Sequence, residues 1–226
     1  VAVDRATGRT NWYGQQTPGD TWDLTAVQPM ILTDMEVDGA SRPVVVHAPK
    51  NGFMFVIDRE DGKVHRANPI VRTSWASGWN YETNRPNLTP ETSNFRDGPQ
   101  IVFPASPGAR NWYPAAFDPE RQTYFAQVLD MGNLLFLTGD PNQRPERQEA
   151  FLNVQTAIIF SPDLQAAAPS LPPPMRAAME ALPTWDWVKD MPYSSQLRAI
   201  DPLTGETKWA VDGLGWQDRY GVLATA

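Results

Sequence analysis

Two stretches far apart in the chain, "AVDRATGRTNW" (residues 2–12) and "AIDPLTGETKW" (residues 199–209), follow one pattern. In each, a short apolar segment ends on an aspartate, a glycine follows four residues later, and a tryptophan follows four residues after that. Residues 56–66, "VIDREDGKVHR", keep the aspartate and the glycine but have Arg66 in place of the tryptophan. Residues 116–126, "AFDPERQTYFA", keep the aspartate alone. The aspartates lie 54, 60 and 83 residues apart, which indicates a degenerate repeat of four units: Asp4, Asp58, Asp118 and Asp201.

The chemistry of the repeat predicts its structure. Alternating apolar residues favour a strand, the aspartate side chain can bond the backbone of the following turn, and glycine takes the positive φ that such a turn requires. The tryptophan at the end is large enough to dock onto a neighbouring unit. Short strands with glycine turns at this period predict an all-β fold, a β-propeller with four-stranded blades. A plain antiparallel sandwich is the structural alternative.

The composition narrows the function. The chain has 226 residues with 41% hydrophobic residues, which indicates a globular protein, and its net charge of −7 argues against nucleic acid as a partner. Because there are no cysteines, these residues hold no disulfide, no thiolate metal site and no cysteine nucleophile. The chain opens directly on strand-like sequence and closes on "GVLATA", so we interpret it as an internal segment of a longer protein.

Two long excursions interrupt the repeat. Residues 142–195 are rich in proline and alanine and are interpreted as an insertion on a blade, in which "PPPMRAAMEAL" (172–182) favours a short helix after the prolines. Residues 74–108 form a polar excursion that carries Trp75 and Trp79. Because long connections of a propeller gather at its faces, both are expected near a ligand site.

The stretch "QTPGDTWDLTAVQPM" (residues 16–30) holds two aspartates, Asp20 and Asp23, beside Trp22. In one interpretation the aspartates cap a turn and the indole fills a core. In the other, Asp23 is a base aimed into an aromatic-walled cavity at the start of a strand. A carboxylate beside an indole and an apolar strand is expected to lose water, which makes it a better proton acceptor.

These motifs together resemble the quinoprotein alcohol dehydrogenases, which use pyrroloquinoline quinone (PQQ) on an eight-bladed propeller. The resemblance rests on the blade motif running into "YGQQTPGDTWDL", on "HAPKNGFMFVIDREDGKV", on "GARNWYPAAFDPERQTYFA" and on "AIDPLTGETKWAVDG". It covers nearly the whole chain except residues 142–195. It implies that residues 1–226 are a single propeller segment, about half of the eight-bladed ring.

The resemblance assigns a role to Asp23 and to Lys50. It implies that Asp23 is the catalytic base and a candidate calcium contact, whereas Asp20 belongs to the turn. Lys50, in "APKNGF", takes the position of a cation against the quinone oxygens, where it acts on the cofactor and not on the fold. A solvated hairpin lysine beside "NG" is the alternative for Lys50.

The resemblance also points to the segment "GARNWYP". It implies that Asn111 hydrogen-bonds the cofactor and that Trp112 lines its cavity, although Trp112 suits blade packing equally well. Arg110 and residues 216–220 receive no role.

The cofactors that the resemblance implies are PQQ and calcium, with a haem c on a separate domain left open. The main metal ligands are expected on blades outside this chain. In lanthanide-using relatives a second aspartate stands two residues after the base, on the same face of a strand. Thr25 occupies that position here, which predicts a calcium enzyme.

The function that follows is oxidation of an alcohol by proton abstraction and hydride transfer to PQQ, with electrons passed to a cytochrome c. The expected partners are the alcohol, the cytochrome and the missing blades, and the expected location is the periplasm. The alternatives are a PQQ-dependent sugar or polyol dehydrogenase, and a non-catalytic propeller of outer-membrane assembly. Only an enzyme has a reason to keep Asp23, Lys50 and Asn111 together.

Overall fold

Three turns of the same geometry organise the strands. The structure, a computed structural model, describes residues 1–89, 95, 98–137, 156–213, 215 and 219–225. After Asp4, Asp58 and Asp201, the glycine four residues on donates its N–H to the aspartate carbonyl oxygen at 2.8, 3.0 and 2.8 Å. These glycines have φ of 71°, 77° and 77°, a left-handed conformation that disfavours larger residues. Each turn closes an antiparallel hairpin, as the repeat predicted.

Asp118 lies in a different turn, in keeping with a stretch that retains only the aspartate of the repeat. Its side chain accepts hydrogen bonds from the backbone of Glu120 and Arg121, and Gln122 takes the positive φ. This turn opens the sheet that Asp201 closes, because it joins the first two strands while the Asp201 turn joins the last two. One sheet therefore contains two of the four predicted units.

The strands and α-helices of the described residues are β1 Ala2–Val3, β2 Thr10–Trp12, β3 Ile31–Val37, β4 Ala40–His47, β5 Phe53–Asp58, β6 Val64–Pro69, β7 Ala76–Asn80, β8 Arg85–Leu88, β9 Gln100–Val102, β10 Ala116–Asp118, β11 Thr123–Met131, β12 Asn133–Leu137, β13 Thr156–Phe160, α1 Ser161–Ala167, α2 Pro173–Glu180, α3 Trp185–Asp190, β14 Tyr193–Ile200 and β15 Thr207–Asp212. Within these residues the strands form two four-stranded antiparallel sheets, in the orders β3-β4-β5-β6 and β10-β11-β14-β15. A three-stranded sheet, β13-β12-β9, and the hairpins β1-β2 and β7-β8 complete the described part. The two four-stranded sheets share a core of aliphatic side chains, which fits the predicted propeller blades.

Tryptophan docking between units takes place as predicted at Trp12. Its indole N–H donates to the Arg59 carbonyl at 3.0 Å, and a side chain at Gly62 would collide with its ring. The next unit lacks the tryptophan, and Asn68 docks instead by donating to the Leu203 carbonyl at 2.9 Å. Trp209, at the outer strand of the second sheet, is 46% exposed, and its ring contacts Phe125.

The connection from β11 to β14 leaves and rejoins the sheet at one point. Met131 and Tyr193 are paired in register. The Ser161 hydroxyl accepts the Gly132 N–H and donates to the Pro192 carbonyl, which closes the base of the connection. In the described part of residues 142–195, β13 pairs with β12 and is followed by α1, α2 and α3. The predicted helix is α2, and it begins at the second of three prolines, where a missing N–H costs nothing.

The tryptophans of residues 74–108 are buried inside the protein. Trp75 is fully buried, and its ring is 5.8 Å from those of Trp22 and Phe53. Trp79 packs edge-on against Phe55 at 5.2 Å. Aromatic edge-to-face contacts bury large apolar surfaces, so the excursion contributes to the core of the β3–β6 sheet. No helix in the described part of the chain is long and apolar enough to cross a membrane.

Candidate active site

The segment that carries Asp23 is a loop and not the start of a strand, because β3 begins only at Ile31. The expectation that Asp23 and Thr25 share a strand face is therefore wrong. Asp23 has φ of 65°, which an aspartate tolerates better than most residues. The side chains still alternate: Trp22 and Leu24 are buried, whereas Asp23 and Thr25 are exposed. Asp23 and Thr25 thus point away from the core on which the loop rests.

Asp20 and Asp23 have different partners. The Asp20 carboxylate accepts the Trp22 N–H at 2.9 Å, the geometry of an aspartate turn. This confirms the prediction that Asp20 belongs to the turn. The indole of Trp22 fills the core, as in the first interpretation of this stretch. Asp23 has a different partner, Lys50.

Asp23 is paired with Lys50. The Lys50 ammonium donates to the backbone carbonyl of Asp23 at 3.0 Å and to its carboxylate Oδ2 at 3.1 Å. The Lys50 side chain is 10% exposed, whereas that of Asp23 is 63% exposed. Because a lysine is seldom buried without a specific partner, the ammonium is fixed and the carboxylate is presented to the outside.

The burial of Lys50 contradicts the solvated-hairpin alternative, and it also contradicts the expectation that Lys50 has no part in the fold. A side chain at Gly108 would collide with the Lys50 stem, and the Ala109 N–H donates to the Lys50 carbonyl at 2.9 Å. Behind Lys50, the Trp75 indole donates to the Asn51 carbonyl at 2.7 Å. The core therefore supports the residue that holds Asp23.

The exposure of Asp23 corrects another expectation. The sequence predicted that the Trp22 indole and an apolar strand would remove water from the carboxylate. The indole is buried below the loop, and the carboxylate faces outward. Among the described residues, Lys50 is the charged group that it contacts. Any further loss of water has to come from a bound molecule or from protein outside the described residues.

Asn111 and Trp112 lie on the segment that covers Lys50. The Asn111 amide donates to the Pro107 carbonyl at 2.8 Å, and its oxygen accepts the Trp112 N–H at 2.9 Å. Trp112 is 61% exposed, and its ring lies 4.7 Å from that of Tyr113. A cavity beside Asn111 has a volume of about 40 Å³, enough for one water molecule, and neither Asp23 nor Lys50 lines it.

A buried polar network lies beneath the site. Arg110 is 3% exposed and donates to the Tyr124 hydroxyl and the Tyr113 carbonyl. Burial lowers the pKa of this guanidinium. His47 is fully buried, and burial lowers its pKa from 6.5 to about 4, so the ring is neutral at pH 7. Neither residue was assigned a role from the sequence: Arg110 lies in "GARNWYP" and His47 opens "HAPKNGF", but a motif does not show which side chains are buried together.

The donors fit the quinone edge of PQQ, because a fixed ammonium and an amide suit oxygens that gain negative charge. Lys50 supplies the ammonium and Asn111 the amide. For a calcium ion, which takes six to eight oxygen ligands, Asp23 offers one carboxylate. The described residues contain no group of three or more His, Cys, Asp or Glu that could hold a metal. The other calcium ligands would have to lie outside the described residues.

Comparison with known proteins gives consistent matches. The family model for the PQQ β-propeller domain of glucose, ethanol and alcohol dehydrogenases matches residues 1–74. The quinohemoprotein alcohol dehydrogenase of Comamonas testosteroni is 45% identical over 232 residues, which cover 100% of this chain and 28% of that protein. A 1-butanol dehydrogenase (cytochrome c) of Thauera butanivorans is 43% identical over 174 residues, 75% of this chain and 25% of that protein.

Solved structures agree with the sequence matches. The crystal structure of the Comamonas testosteroni enzyme superposes with a TM-score of 0.71 and 28% identity, over 93% of this chain and 28% of that one. A europium-containing methanol dehydrogenase superposes with a TM-score of 0.69 and 25% identity, over 93% of this chain and 32% of that one. The chain spans about 28% of the length of the Comamonas testosteroni relative. The chain belongs to the PQQ-dependent alcohol dehydrogenase family and corresponds to a part of its β-propeller.

Proposed function

We propose that this chain supplies the base and a fixed cation of a PQQ-dependent alcohol dehydrogenase. The observation that carries the proposal is the contact between Asp23 and Lys50. An ion pair with one exposed partner adds only about 0–1 kcal/mol to stability, whereas burial of a lysine is costly. A scaffold gains little from this arrangement. An enzyme gains a carboxylate that is accessible to substrate and a cation held in a fixed position.

The residues divide the reaction between them. Bound PQQ would supply the acceptor for the hydride of the alcohol carbon. Asp23 takes the proton of the alcohol hydroxyl on its carboxylate, whose Oδ2 is oriented by Lys50. The Lys50 ammonium also stabilises negative charge that develops on the quinone oxygens, because it is already in place before the reaction begins. Asn111 orients the cofactor through its amide, and Trp112 offers an exposed ring beside it.

The partners follow from the same proposal. Calcium is the metal, with Asp23 as one contact, and electrons leave to a cytochrome c. The names of the relatives, a quinohemoprotein and a cytochrome c-linked butanol dehydrogenase, support a haem acceptor. The proposed location is the periplasm, which the similarity to these bacterial enzymes supports.

The test is reconstitution of the protein that carries this chain with PQQ and calcium. Reduction of an artificial dye is then followed with ethanol, 1-butanol, glucose and glycerol. We expect turnover with the two alcohols and little with the sugar or the polyol. Turnover restricted to glucose or glycerol would show a sugar or polyol dehydrogenase. Failure of every substrate, with PQQ bound, would show a non-catalytic propeller.

A further inference from the structure

The loop that carries Asp23 closes on the ring of one histidine. Gln16 and Gln28 lie at the two ends of the loop. The Gln16 side-chain oxygen lies 3.0 Å from His47 Nδ1, and the Gln28 backbone carbonyl lies 3.2 Å from His47 Nε2. Asp23 stands near the middle of the loop between these two contacts. The imidazole therefore bridges the neck of the loop, as in an Ω-loop whose ends lie close together.

We propose that His47 is a positioning residue for alcohol oxidation: its ring ties both ends of the Asp23 loop and so holds the carboxylate where it receives the proton. The effect on turnover rests on the proposed function, because it requires that Asp23 is the base. The tie itself can be measured independently of any activity.

The position of His47 suits this purpose. It is the last residue of β4, an inner strand of a four-stranded sheet, and it is fully buried. A site built on a strand is held more firmly than one built on a loop. In the neutral ring one nitrogen donates and the other accepts. Nε2–H donates to the Gln28 carbonyl, and Nδ1 accepts from the Gln16 amide when that amide is rotated by a half-turn, which places its otherwise unpaired NH2 on the ring. One side chain can thus bind both ends of the loop. A phenylalanine would fill the same space and bind neither end.

The loop depends on such side-chain contacts. The Asn51 amide donates to the Gln16 carbonyl at 3.1 Å and to the Thr17 hydroxyl at 3.2 Å. The Thr17 hydroxyl lies 3.3 Å from the Leu24 carbonyl, to which it donates. Together with Lys50, these contacts hold the loop from within. His47 differs from all of them because it holds both ends at once.

Gln28, one of the two residues that contact the His47 ring, also contacts the segment that carries Asn111. The Gln28 amide nitrogen donates to the Arg110 carbonyl at 3.2 Å, and Gln28 is 3% exposed. Arg110 is anchored in turn on the hydroxyl of Tyr124, which is buried in the core between the two large sheets. A displacement of Gln28 would therefore be felt at Asn111 as well as at Asp23.

The experiment measures backbone hydrogen exchange and turnover in the PQQ-loaded protein. His47→Phe is expected to accelerate amide exchange in residues 17–27 and to lower kcat by roughly 10- to 100-fold, since a small displacement of a catalytic group is costly. PQQ content and the KM for the alcohol should change far less. His47→Gln, whose amide can replace both contacts, should restore most of the rate. His65→Gln, at the other histidine of the chain, is the matched control and should leave exchange of the loop and kcat unchanged.

A double substitution separates positioning from general damage. In the Asp23→Asn background, His47→Phe should cost little more, because it acts through a carboxylate that is already lost. An equal loss in both backgrounds, unchanged loop exchange, or a normal kcat in His47→Phe would each overturn the proposal. Absence of PQQ-dependent turnover in the unmodified protein would instead refute the proposed function, and the exchange experiment would still test the tie.

If His47→Phe does not fold, Gln16→Leu provides the same test at a half-buried position. It keeps the side-chain volume and removes one of the two contacts. Faster loop exchange with a several-fold lower kcat supports the proposal. Wild-type exchange and wild-type turnover overturn it.

Discussion

The two segments that meet at Lys50 are held in different ways. The Asp23 loop, residues 16–30, is fastened by side chains, with His47 at its neck and Lys50 at its tip. The segment 103–111 is fastened by backbone hydrogen bonds, among them Ala105 N to the Met131 carbonyl and Leu129 N to the Ala109 carbonyl, at 2.7 and 2.8 Å. The first presents a carboxylate to the outside, and the second buries the lysine that orients it. The comparison teaches that side-chain substitutions should disturb the loop, whereas the other segment should respond to changes at glycine.

The largest effect is expected at the tip of the loop. Asp23→Asn removes the proton acceptor but keeps the size and the left-handed backbone, which asparagine tolerates. We expect kcat to fall by at least ~10²-fold with PQQ still bound. The measurement is dye-linked turnover at saturating alcohol together with the absorbance of bound PQQ.

Asp20→Asn is the matched control, three residues away in the same loop. It keeps an oxygen that can accept the Trp22 N–H, so turnover should change little. Equal losses in the two variants would refute the assignment of Asp23 as the base.

The buried His47, which lies between the two ends of the Asp23 loop, should make the free energy of unfolding depend on pH. Burial lowers the pKa of His47 to about 4, against the action of its bond to the Gln28 carbonyl and together with the charge of Arg110. Because the unfolded chain binds a proton near pH 6.5 and the folded one does not, stability is fully present above pH 6.5 and is lost as the pH falls towards 4. The full loss is about 3 kcal/mol.

The free energy of unfolding of the apoprotein at pH 7, 5.5 and 4.5 measures this dependence. His47→Gln should flatten the curve in this window, and His65→Gln should not. A curve that is equally steep in His47→Gln would mean that other groups cause the acid sensitivity.

Glycine substitutions should separate the two segments. Gly108 has φ of 82°, and a Cβ there would lie 2.4 Å from Cβ of Lys50, whereas Gly19 has φ of 65° and open space around it among the described residues. Gly19→Ala should cost about 1 kcal/mol of stability through backbone strain alone. Gly108→Ala should cost about 2 kcal/mol more through the collision. It should also weaken PQQ binding, because Lys50 has to move.

Thermal or denaturant unfolding of the two variants, with PQQ titration, measures this difference. If Gly19→Ala and Gly108→Ala had similar stabilities, segment 103–111 would accommodate the added methyl group. The difference between the two segments would then be refuted.

The smallest effect concerns the metal. Thr25 is exposed, two residues after the exposed Asp23. Thr25→Asp would add a second carboxylate there, and a trivalent ion gains more from it than a divalent one. We expect the preference for lanthanum over calcium to rise by roughly tenfold, as measured by competition for the PQQ-loaded protein. An unmodified protein that works only with lanthanides would contradict the calcium prediction.

The sequence predicted what depends on local chemistry. The turns after Asp4, Asp58 and Asp201, the docking of Trp12 and the Asp20 turn all follow from residue types at fixed spacing. The sequence did not predict that the Asp118 turn belongs to the same sheet as the Asp201 turn, because an aspartate after a short strand suits several turns and the pairing partners decide which hairpin it closes.

The features that the sequence missed depend on tertiary packing. The burial of Lys50, which was expected to act on the cofactor and not on the fold, could not be predicted because it comes from Gly108, 58 residues later in the chain. The contacts of His47 could not be predicted from the sequence because its partners, Gln16 and Gln28, lie beside it only when the loop is folded. The motifs thus pointed to Asp23 and Lys50, the proposed base and cation, but only the fold showed which residues hold them.

The left-handed backbone at Asp23 also restricts how this position can evolve. At φ of 65° a residue with a branched or bulky side chain is strained, while Asn and Gly are tolerated. Glutamate would keep the negative charge but tolerates the left-handed conformation less well than aspartate. Asp23→Glu, the usual exchange of one acid for another, is therefore disfavoured. The replacements that fold well are those that abolish the carboxylate. On the proposed role of Asp23 as the base, descendants of this protein that lose activity should be well folded and carry Asn or Gly at this position.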